Sequence, residues 1–283
     1  MITRLAYAFA DGSVVAKRNV IKIKRVPEVL VWVLMSPIMF VLLFAYVFGG
    51  AIEIPGLNYR EFLIAGIFAQ TVVFGATFTG AGMAEDMQKG IIDRFRSLPM
   101  SRSAVLIGRT ASDVVYNVLS VGIMALTGLV VGWRIRGSLL DAVGGFLLLL
   151  LFSYAFSWVM GLLGLLVPSV EVINNASFMV IMPLTFISNA FVPLETFPGP
   201  LRAFAEWNPV SAVTQSARDL FGNVPQLSAA ELAALQDSGA RIPMASDAWS
   251  LQNPVLYTLL WIVIILVVFV PLSVRQYKRS ATR

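Results

Sequence analysis

The sequence predicts an all-α membrane protein with six transmembrane helices. Of its 283 residues, 58% are hydrophobic and only 13% are charged, whereas a soluble domain carries about a quarter charged residues. Six apolar runs are long enough to cross the hydrocarbon core of a bilayer, which takes about 20 residues. The fifth is the least continuous, because polar residues and Pro183 interrupt it. The runs lie at residues 29–49, 62–83, 110–132, 142–167, 173–194 and 254–274.

The amino acids that the chain lacks exclude several classes of function. It contains no cysteine and no histidine, which excludes disulfides, thiol and histidine catalysis, and the usual zinc ligands. No catalytic, cofactor-binding or metal-binding residue is therefore predicted. The net charge of +5 fits basic loops beside a membrane, so membrane lipid and not nucleic acid is the predicted partner.

The lysines and arginines predict which side of the membrane each loop faces. With six spans, 15 of the 21 lysines and arginines fall on the side of the two termini and six on the other side. Basic loops are retained on the cytoplasmic side. We therefore expect a multi-pass protein of the bacterial plasma membrane with both termini, including the basic tail 275–283, in the cytoplasm. Arg134 and Arg136 fall outside, where Asp141 is the nearest acid in the sequence to offset them.

Residues 1–28 are predicted to form a cytoplasmic amphipathic segment before the transmembrane domain, 29–274. At 100° per residue, apolar side chains gather on one face of a helix and basic side chains on the other. Such a helix lies in the inner interface of the membrane. The alternative is a basic leader that only sets the topology. The apolar face consists of Ile2, Leu5, Phe9, Ala16, Val20 and Ile23.

The loop between the second and third spans contains a short amphipathic helix at about residues 87–98. Its apolar side chains cover one arc, its charged ones lie opposite, and Pro99 ends it because proline has no N–H to donate. A helix of this kind either docks on a cytoplasmic partner or lies on the lipid surface, and the pattern alone does not decide between them. Its residues are Met87, Lys89, Ile91, Ile92, Asp93, Arg94, Phe95, Arg96 and Leu98.

The loop before the last span is too long to be a simple connector. Residues 197–222 read as two short apolar-faced helices broken at Asn208-Pro209, which predicts a re-entrant helical hairpin on the extracellular side. Its key residues are predicted to be Phe204, Trp207, Asn208, Pro209 and Phe221. Residues 223–250 are more polar and predict an extracellular insertion with one helix at 228–236.

The polar residues inside the spans are almost all uncharged. A proton or ion relay usually leaves charges within the membrane, so a secondary antiporter is disfavoured. Neutral polar groups with soft methionine side chains suit a large amphipathic cargo. The alternative is that each polar residue joins two helices through hydrogen bonds. The residues of the candidate transport path are Gln70, Thr71, Thr77, Met179, Thr185 and Asn189.

Two stretches resemble the permeases of the ABC-2 transporter family. Residues 89–101, KGIIDRFRSLPMS, resemble the family's cytoplasmic coupling segment between the second and third spans. Residues 188–194, SNAFVPL, with Trp207-Asn208-Pro209 and Arg218-Asp219, resemble the outer end of the fifth span and its re-entrant helices. The second stretch is closest in kind to permeases of the daunorubicin/doxorubicin-resistance type. The resemblance covers nearly the whole chain, except that the insertion 223–250 is longer than expected.

The resemblance implies how the chain would work and with which partners. It implies a homodimer, or a pair with a related permease, bound to two ATP-binding cassette subunits, with residues 87–98 as the coupling helix. The chain has no G-x-x-x-x-G-K-[ST] motif, so ATP and Mg²⁺ are expected on the partner subunit and this chain is not expected to be an enzyme. A drug or hydrophobic-metabolite exporter is the favoured function. An exporter of lipid-linked sugar or polysaccharide and a non-transporting scaffold or sensor remain alternatives.

Overall fold

The fold is helical throughout the part of the chain that the structure describes. The structure is a computed structural model that describes residues 35, 38–49, 52–90, 104–238, 243–244 and 246–279. The predicted amphipathic segment 1–28, most of the predicted coupling helix and the end of the basic tail lie outside these residues. Within the described ranges there is no β-strand, only an isolated bridge between Ile54 and Leu57.

Eleven helices are numbered here in chain order. Residues 44–48 at the end of α1 form a π-helical turn, and a short 3-10 turn lies at Leu194–Thr196. The helices are α1 (Ile38–Val47), α2 (Tyr59–Gly75), α3 (Thr77–Gln88), α4 (Ala104–Val131), α5 (Leu139–Leu166), α6 (Val170–Phe186), α7 (Gly199–Glu206), α8 (Pro209–Phe221), α9 (Ala229–Asp237), α10 (Trp249–Gln252) and α11 (Pro254–Arg279).

Four stretches of helix are long and apolar enough to cross a membrane. They are Tyr59–Gln88, which joins α2 and α3 through Ala76, and Gly108–Val131, Leu139–Leu166 and Pro254–Tyr277. They coincide with the second, third, fourth and sixth predicted spans. The first predicted span is described only from residue 35, and α1 is a shorter apolar helix within it. The count of six spans therefore stays a prediction.

The fifth predicted span is shorter than expected. The prediction ran to residue 194, but α6 has 17 residues and ends at Phe186. Ile187 leaves the helical conformation with φ −92° and ψ 56°. The hydroxyl of Ser188 then donates to the carbonyl of Thr185, so a local side-chain bond competes with continuation of the helix. Residues 187–193 follow as a non-helical segment, which we call the α6 exit.

Polar side chains at the helix ends fix where the helices begin. Side-chain oxygens of Asn58, Ser138, Ser169 and Asn208 accept hydrogen bonds from backbone N–H groups in the first turns of α2, α5, α6 and α8. Each therefore satisfies a donor that the helix itself leaves free. The Ser138 hydroxyl donates to the carboxylate of Asp141 and accepts from the backbone N–H of the same residue.

Helix α5 is the centre of the bundle. It packs against α11, α3, α8 and α4, and the side chains that it buries against them include Phe152 and Met160. At Gly164 the helix lies directly on the backbone of Gly80 in α3, where an added side chain would collide with the Gly80 carbonyl. Small residues allow spanning helices to approach this closely.

Two helices lie where the hairpin was predicted and break at Asn208-Pro209, but the re-entrant course of this hairpin stays a prediction. Helix α7 ends at Glu206 and α8 begins at Pro209. Helix α8 was expected to bury one face, but it is buried on nearly all sides because it packs between α5, α11 and α2. The insertion helix α9 lies one residue later than predicted and is mostly exposed. We call the end of the bundle with α7 and α8 the hairpin end, and the opposite end, where α3 stops and α4 starts, the loop end.

Candidate functional site

A cavity opens between α1, α2, α3, α4 and α6. Its volume is about 330 Å³, which is within the range of small-molecule pockets. Each of the five helices contributes one aromatic ring to its wall, and none of its lining residues is charged. The lining residues are Phe40, Gln70, Thr71, Phe74, Gly75, Thr77, Phe78, Tyr116, Ser120, Phe178 and Met182.

Three hydroxyl groups in the cavity wall make no hydrogen bond of normal geometry, although two of them, those of Tyr116 and Ser120, are close enough to interact with each other. The three belong to Thr71, Tyr116 and Ser120, and each residue is more than nine-tenths buried. Tyr116 and Ser120 lie on successive turns of α4, and Thr71 faces them from α2. Buried polar groups are normally satisfied, so these hydroxyls are available to a molecule that enters the cavity.

The structure brings together three of the six residues predicted for the transport path. Gln70, Thr71 and Thr77 line the cavity, but Met179, Thr185 and Asn189 do not. Met179 is 79% exposed on α6, and its neighbour Met182 takes the place in the cavity wall. The sequence pattern missed Tyr116 and Ser120, although their spacing of four places them on one face of α4.

The other two path residues lie near the hairpin. Thr185 is fully buried and its hydroxyl donates to the carbonyl of Ile181 in its own helix. The side-chain amide of Asn189 donates to Gln215 of α8 at 3.1 Å, and its backbone N–H donates to the hydroxyl of Ser211 at 3.2 Å. Asn189 therefore fits the alternative that was left open, a polar residue that joins two helices through hydrogen bonds. The Thr185 bond stays within α6 and joins no second helix.

Asn208 fastens the break in the hairpin to the end of α6. Its side-chain amide donates to the carbonyls of Leu184 and Ile187, both at 2.7 Å. Its side-chain oxygen accepts from the N–H of Val210 at 2.8 Å and so caps α8. One buried side chain thus satisfies three backbone groups that the two helix ends leave free.

Arg218 of α8 is fully buried and holds the α6 exit from the other side. Its guanidinium donates to the carbonyl of Phe62 in α2 at 3.0 Å and to the carbonyl of Asn189 at 2.6 Å. The cation also lies 3.6 Å from the centre of the Phe62 ring. Tyr59 adds a bond from its hydroxyl to the carbonyl of Phe191 at 3.0 Å. Irregular backbone is tolerated within a bilayer only where its polar groups are paired in this way.

The five residues predicted for the hairpin do not form one cluster. Phe221 is fully buried, with its ring 4.9 Å from Phe146 and 5.4 Å from Trp133. Phe204 and Trp207 are about half exposed on the opposite side of the hairpin. Phe221 therefore anchors α8 in the core, and Phe204 and Trp207 face the surroundings.

A buried carboxylate at the hairpin end pairs with a loop arginine. Glu61 in α2 accepts two parallel hydrogen bonds from Arg136, at 2.8 and 2.9 Å. These bonds raise the pKa of Arg136 above its ordinary value. Asp141, which was expected to offset the charge, is instead the capping partner of Ser138. The sequence pattern missed this pair because its members are 75 residues apart.

Comparison with known proteins identifies the family. The family model for the ABC-2 type transporter matches residues 12–221. The chain belongs to the ABC-2 type transporter family. It is 35% identical over 203 residues to the daunorubicin resistance ABC transporter permease protein DrrB1 of Streptomyces coeruleorubidus, a match that covers 72% of each chain.

More distant ABC-2 relatives match a similar share of the chain. The putative transport permease ycf38 of Cyanophora paradoxa is 26% identical over 214 residues, which is 74% of this chain and 73% of the relative. The probable doxorubicin resistance ABC transporter permease protein DrrC of Mycobacterium tuberculosis is 23% identical over 193 residues, 68% of this chain and 70% of the relative. The resemblance stated from the two sequence stretches is thus confirmed.

The start of the predicted coupling helix differs from the prediction. In this ABC-2 protein Met87 belongs to the last turn of α3, and Lys89 lies in the turn after it, where its ammonium group pairs with Glu85. Gly90 has a φ of +61°, a left-handed conformation that ends a helix and suits glycine. The other predicted coupling residues, Ile91, Ile92, Asp93, Arg94, Phe95, Arg96 and Leu98, lie outside the described residues.

Proposed function

We propose that this chain is the transmembrane subunit of an ATP-driven exporter that moves a hydrophobic or amphipathic drug or metabolite out of the cell. The observation that carries the proposal is the uncharged aromatic cavity between α1, α2, α3, α4 and α6. In a chain of the ABC-2 family, a cavity inside the helix bundle is the natural place for cargo. The drug-resistance names of two relatives support the same cargo class.

The wall of the cavity indicates how cargo would be held. Its aromatic rings offer apolar surface and stacking partners, and the hydroxyls of Thr71, Tyr116 and Ser120 offer hydrogen bonds. No lining residue carries a charge, so the cavity would bind its cargo without forming an ion pair. A lipid-linked polysaccharide presents many more hydroxyl groups than this wall can pair, so the cavity favours the drug or metabolite.

The energy is proposed to come from a separate ATP-binding cassette subunit that binds ATP and Mg²⁺. The chain has no phosphate-binding loop of its own, and such a loop is needed to hold the ATP phosphates. We propose two copies of this chain with two ATPase subunits, both termini in the cytoplasm, and residues 91–98 after the turn at Gly90 as the segment that the ATPase contacts. The hairpin is proposed to close the extracellular exit.

The experiment fills the cavity and measures efflux. Ser120→Phe places a ring in the cavity wall, and Val130→Phe places the same ring on the same helix at a position that is 87% exposed. Both variants are expressed with the partner ATPase in cells that accumulate doxorubicin. We expect Ser120→Phe to abolish export and Val130→Phe to retain it, at equal amounts of protein in the membrane. Export that survives Ser120→Phe would show that the cargo does not use this cavity.

A further inference from the structure

A buried polar cluster joins the second and third spanning helices. Arg109 of α4 donates from its guanidinium to the carbonyl of Phe78 in α3 at 2.8 Å. The Thr79 hydroxyl donates to the carboxylate of Asp113, and the Arg109 Nε lies 4.0 Å from the same carboxylate oxygen. Thr79 and Asp113 are buried. Charged groups inside a membrane bundle are costly and usually have a functional role, and nothing proposed so far uses them.

Two glycines allow this cluster to exist. The Arg109 guanidinium occupies the space that a side chain at Gly82 would need, and the Asn117 amide occupies the corresponding space above Gly75. The Asn117 side chain in turn donates to the backbone carbonyl of Asp113 at 2.9 Å. The polar side chains of α4 are therefore set directly into the surface of α2 and α3.

The cluster lies immediately beside the cavity, on the side of the loop end. The cavity wall ends with Phe78 on α3 and with Tyr116 on α4. Thr79 directly follows Phe78, and Asp113 and Arg109 lie one and two turns before Tyr116, in the direction of the loop. Phe78 and Tyr116, whose rings are 5.1 Å apart, belong to the cavity wall next to it. The backbone carbonyl of Phe78 accepts from Arg109, and Tyr116 follows Asp113 by one turn. A shift of α4 against α3 at the cluster would therefore separate the two rings.

We propose that Thr79, Arg109 and Asp113 form a latch that keeps the cavity closed toward the loop end. In the closed state the Thr79 hydroxyl is bonded to the Asp113 carboxylate, and the Arg109 guanidinium lies 4.0 Å from it, in a medium of low dielectric where such polar interactions are strong. In the open state α4 has moved away, and water reaches both charges through the gap between Phe78 and Tyr116. Packed interfaces of this kind switch between two arrangements and do not deform continuously. The inference that cargo enters by this route rests on the proposed function of the cavity.

The test measures access to the cavity with a single cysteine, since the chain has none of its own. The purified protein with Ser120→Cys is treated with a water-soluble maleimide, and the labelling rate is measured with and without Thr79→Val. Thr79→Val removes the hydroxyl that donates a hydrogen bond to the Asp113 carboxylate. We expect labelling to rise about tenfold, the factor that corresponds to about 1.4 kcal/mol. Thr79→Ser restores the hydroxyl and should return the rate to that of the parent.

Two controls separate a latch from general loosening. A cysteine at Ser216, which is fully buried at the hairpin end, should label at the same rate with either residue at position 79. Asp141→Asn, which changes an acid at the opposite end of the bundle, should leave labelling at Ser120→Cys unchanged. A rise at Ser216→Cys as well, or no rise at Ser120→Cys, would overturn the latch. Labelling needs no ATPase and no drug, so the two proposals can fail independently. If the labelling results support the latch but the cells export no drug, only the proposed cargo is refuted.

Discussion

The break in the hairpin should depend on Asn208 far more than on Pro209. Asn208→Ala removes a helix cap, which costs about 1 kcal/mol, and leaves the carbonyls of Leu184 and Ile187 without the donor that each has at 2.7 Å. An unsatisfied buried acceptor costs about 1–3 kcal/mol, although hydrogen bonds within membrane bundles average only about 0.6 kcal/mol. We therefore expect Asn208→Ala to destabilise the protein by about 3 kcal/mol.

Pro209→Ala is the matched comparison. Pro209 is the first residue of α8, where an N–H has no partner within the helix in any case. The change loses only the restriction of the unfolded chain, about 0.4–1 kcal/mol. The sequence placed the break at Asn208-Pro209 without separating the two residues, whereas the contacts assign the main role to the asparagine.

Thermal unfolding in detergent micelles distinguishes the two variants. At about 2–4 °C per kcal/mol for a protein of this size, Asn208→Ala should lower the melting temperature by about 6–12 °C and Pro209→Ala by at most about 4 °C. Asn208→Ser keeps a capping oxygen but cannot reach both carbonyls, so it should fall between them. A melting temperature for Pro209→Ala as low as that for Asn208→Ala would refute this account of the hairpin.

Four further outcomes are expected. In intact cells an impermeant thiol reagent should label a cysteine at Ser238 but not one at Ser280; the reverse pattern would invert the topology. The purified chain should hydrolyse no ATP until the partner ATPase is added, and turnover by the chain alone after removal of contaminants would contradict the division of labour. Phe95→Asp should abolish co-purification of the ATPase, because the variant forfeits about 1.5–3 kcal/mol of apolar burial. Asp93→Asn should weaken co-purification only slightly. Equal retention of the ATPase by both variants would exclude this segment as the coupling element. Arg218→Lys should lower the melting temperature by several degrees, because lysine cannot reproduce the forked contacts of arginine; an unchanged melting temperature would show that those contacts are dispensable.

The long helices could be predicted because length and apolarity are local properties of the sequence. Four of the six predicted spans appear as helices of sufficient length, and the hairpin break was visible because asparagine and proline start helices. The end of α6 was not predictable in the same way. The bond from Ser188 to Thr185 is local, but the carbonyls that the helix end leaves free are paired by Asn208, which lies 21 and 24 residues from them.

The charged residues show the same limit more clearly. Arg218 was one of the six basic residues counted on the side opposite the termini, but it lies buried between α2 and the α6 exit, 156 residues from the Phe62 carbonyl. A signal was present in the small residues Thr214 and Ser211, one and two turns before it, since small side chains permit close packing around a long one. Asp113 lies within the third predicted span, and its pairing with Thr79 emerges only once α3 and α4 lie side by side.

As the predicted fifth span, α6 is short enough to make this protein sensitive to the thickness of the membrane around it. A helix of 17 residues is about 25 Å long at 1.5 Å per residue, and the hydrocarbon core is about 30 Å thick. The remaining thickness falls on the α6 exit, whose carbonyls are held by Asn208, Arg218 and Tyr59. A thicker bilayer therefore leaves a mismatch at this helix, which is relieved by thinning of the local lipid. Lipid chain length, through the thickness of the bilayer, is therefore expected to affect the hairpin with no change in the sequence.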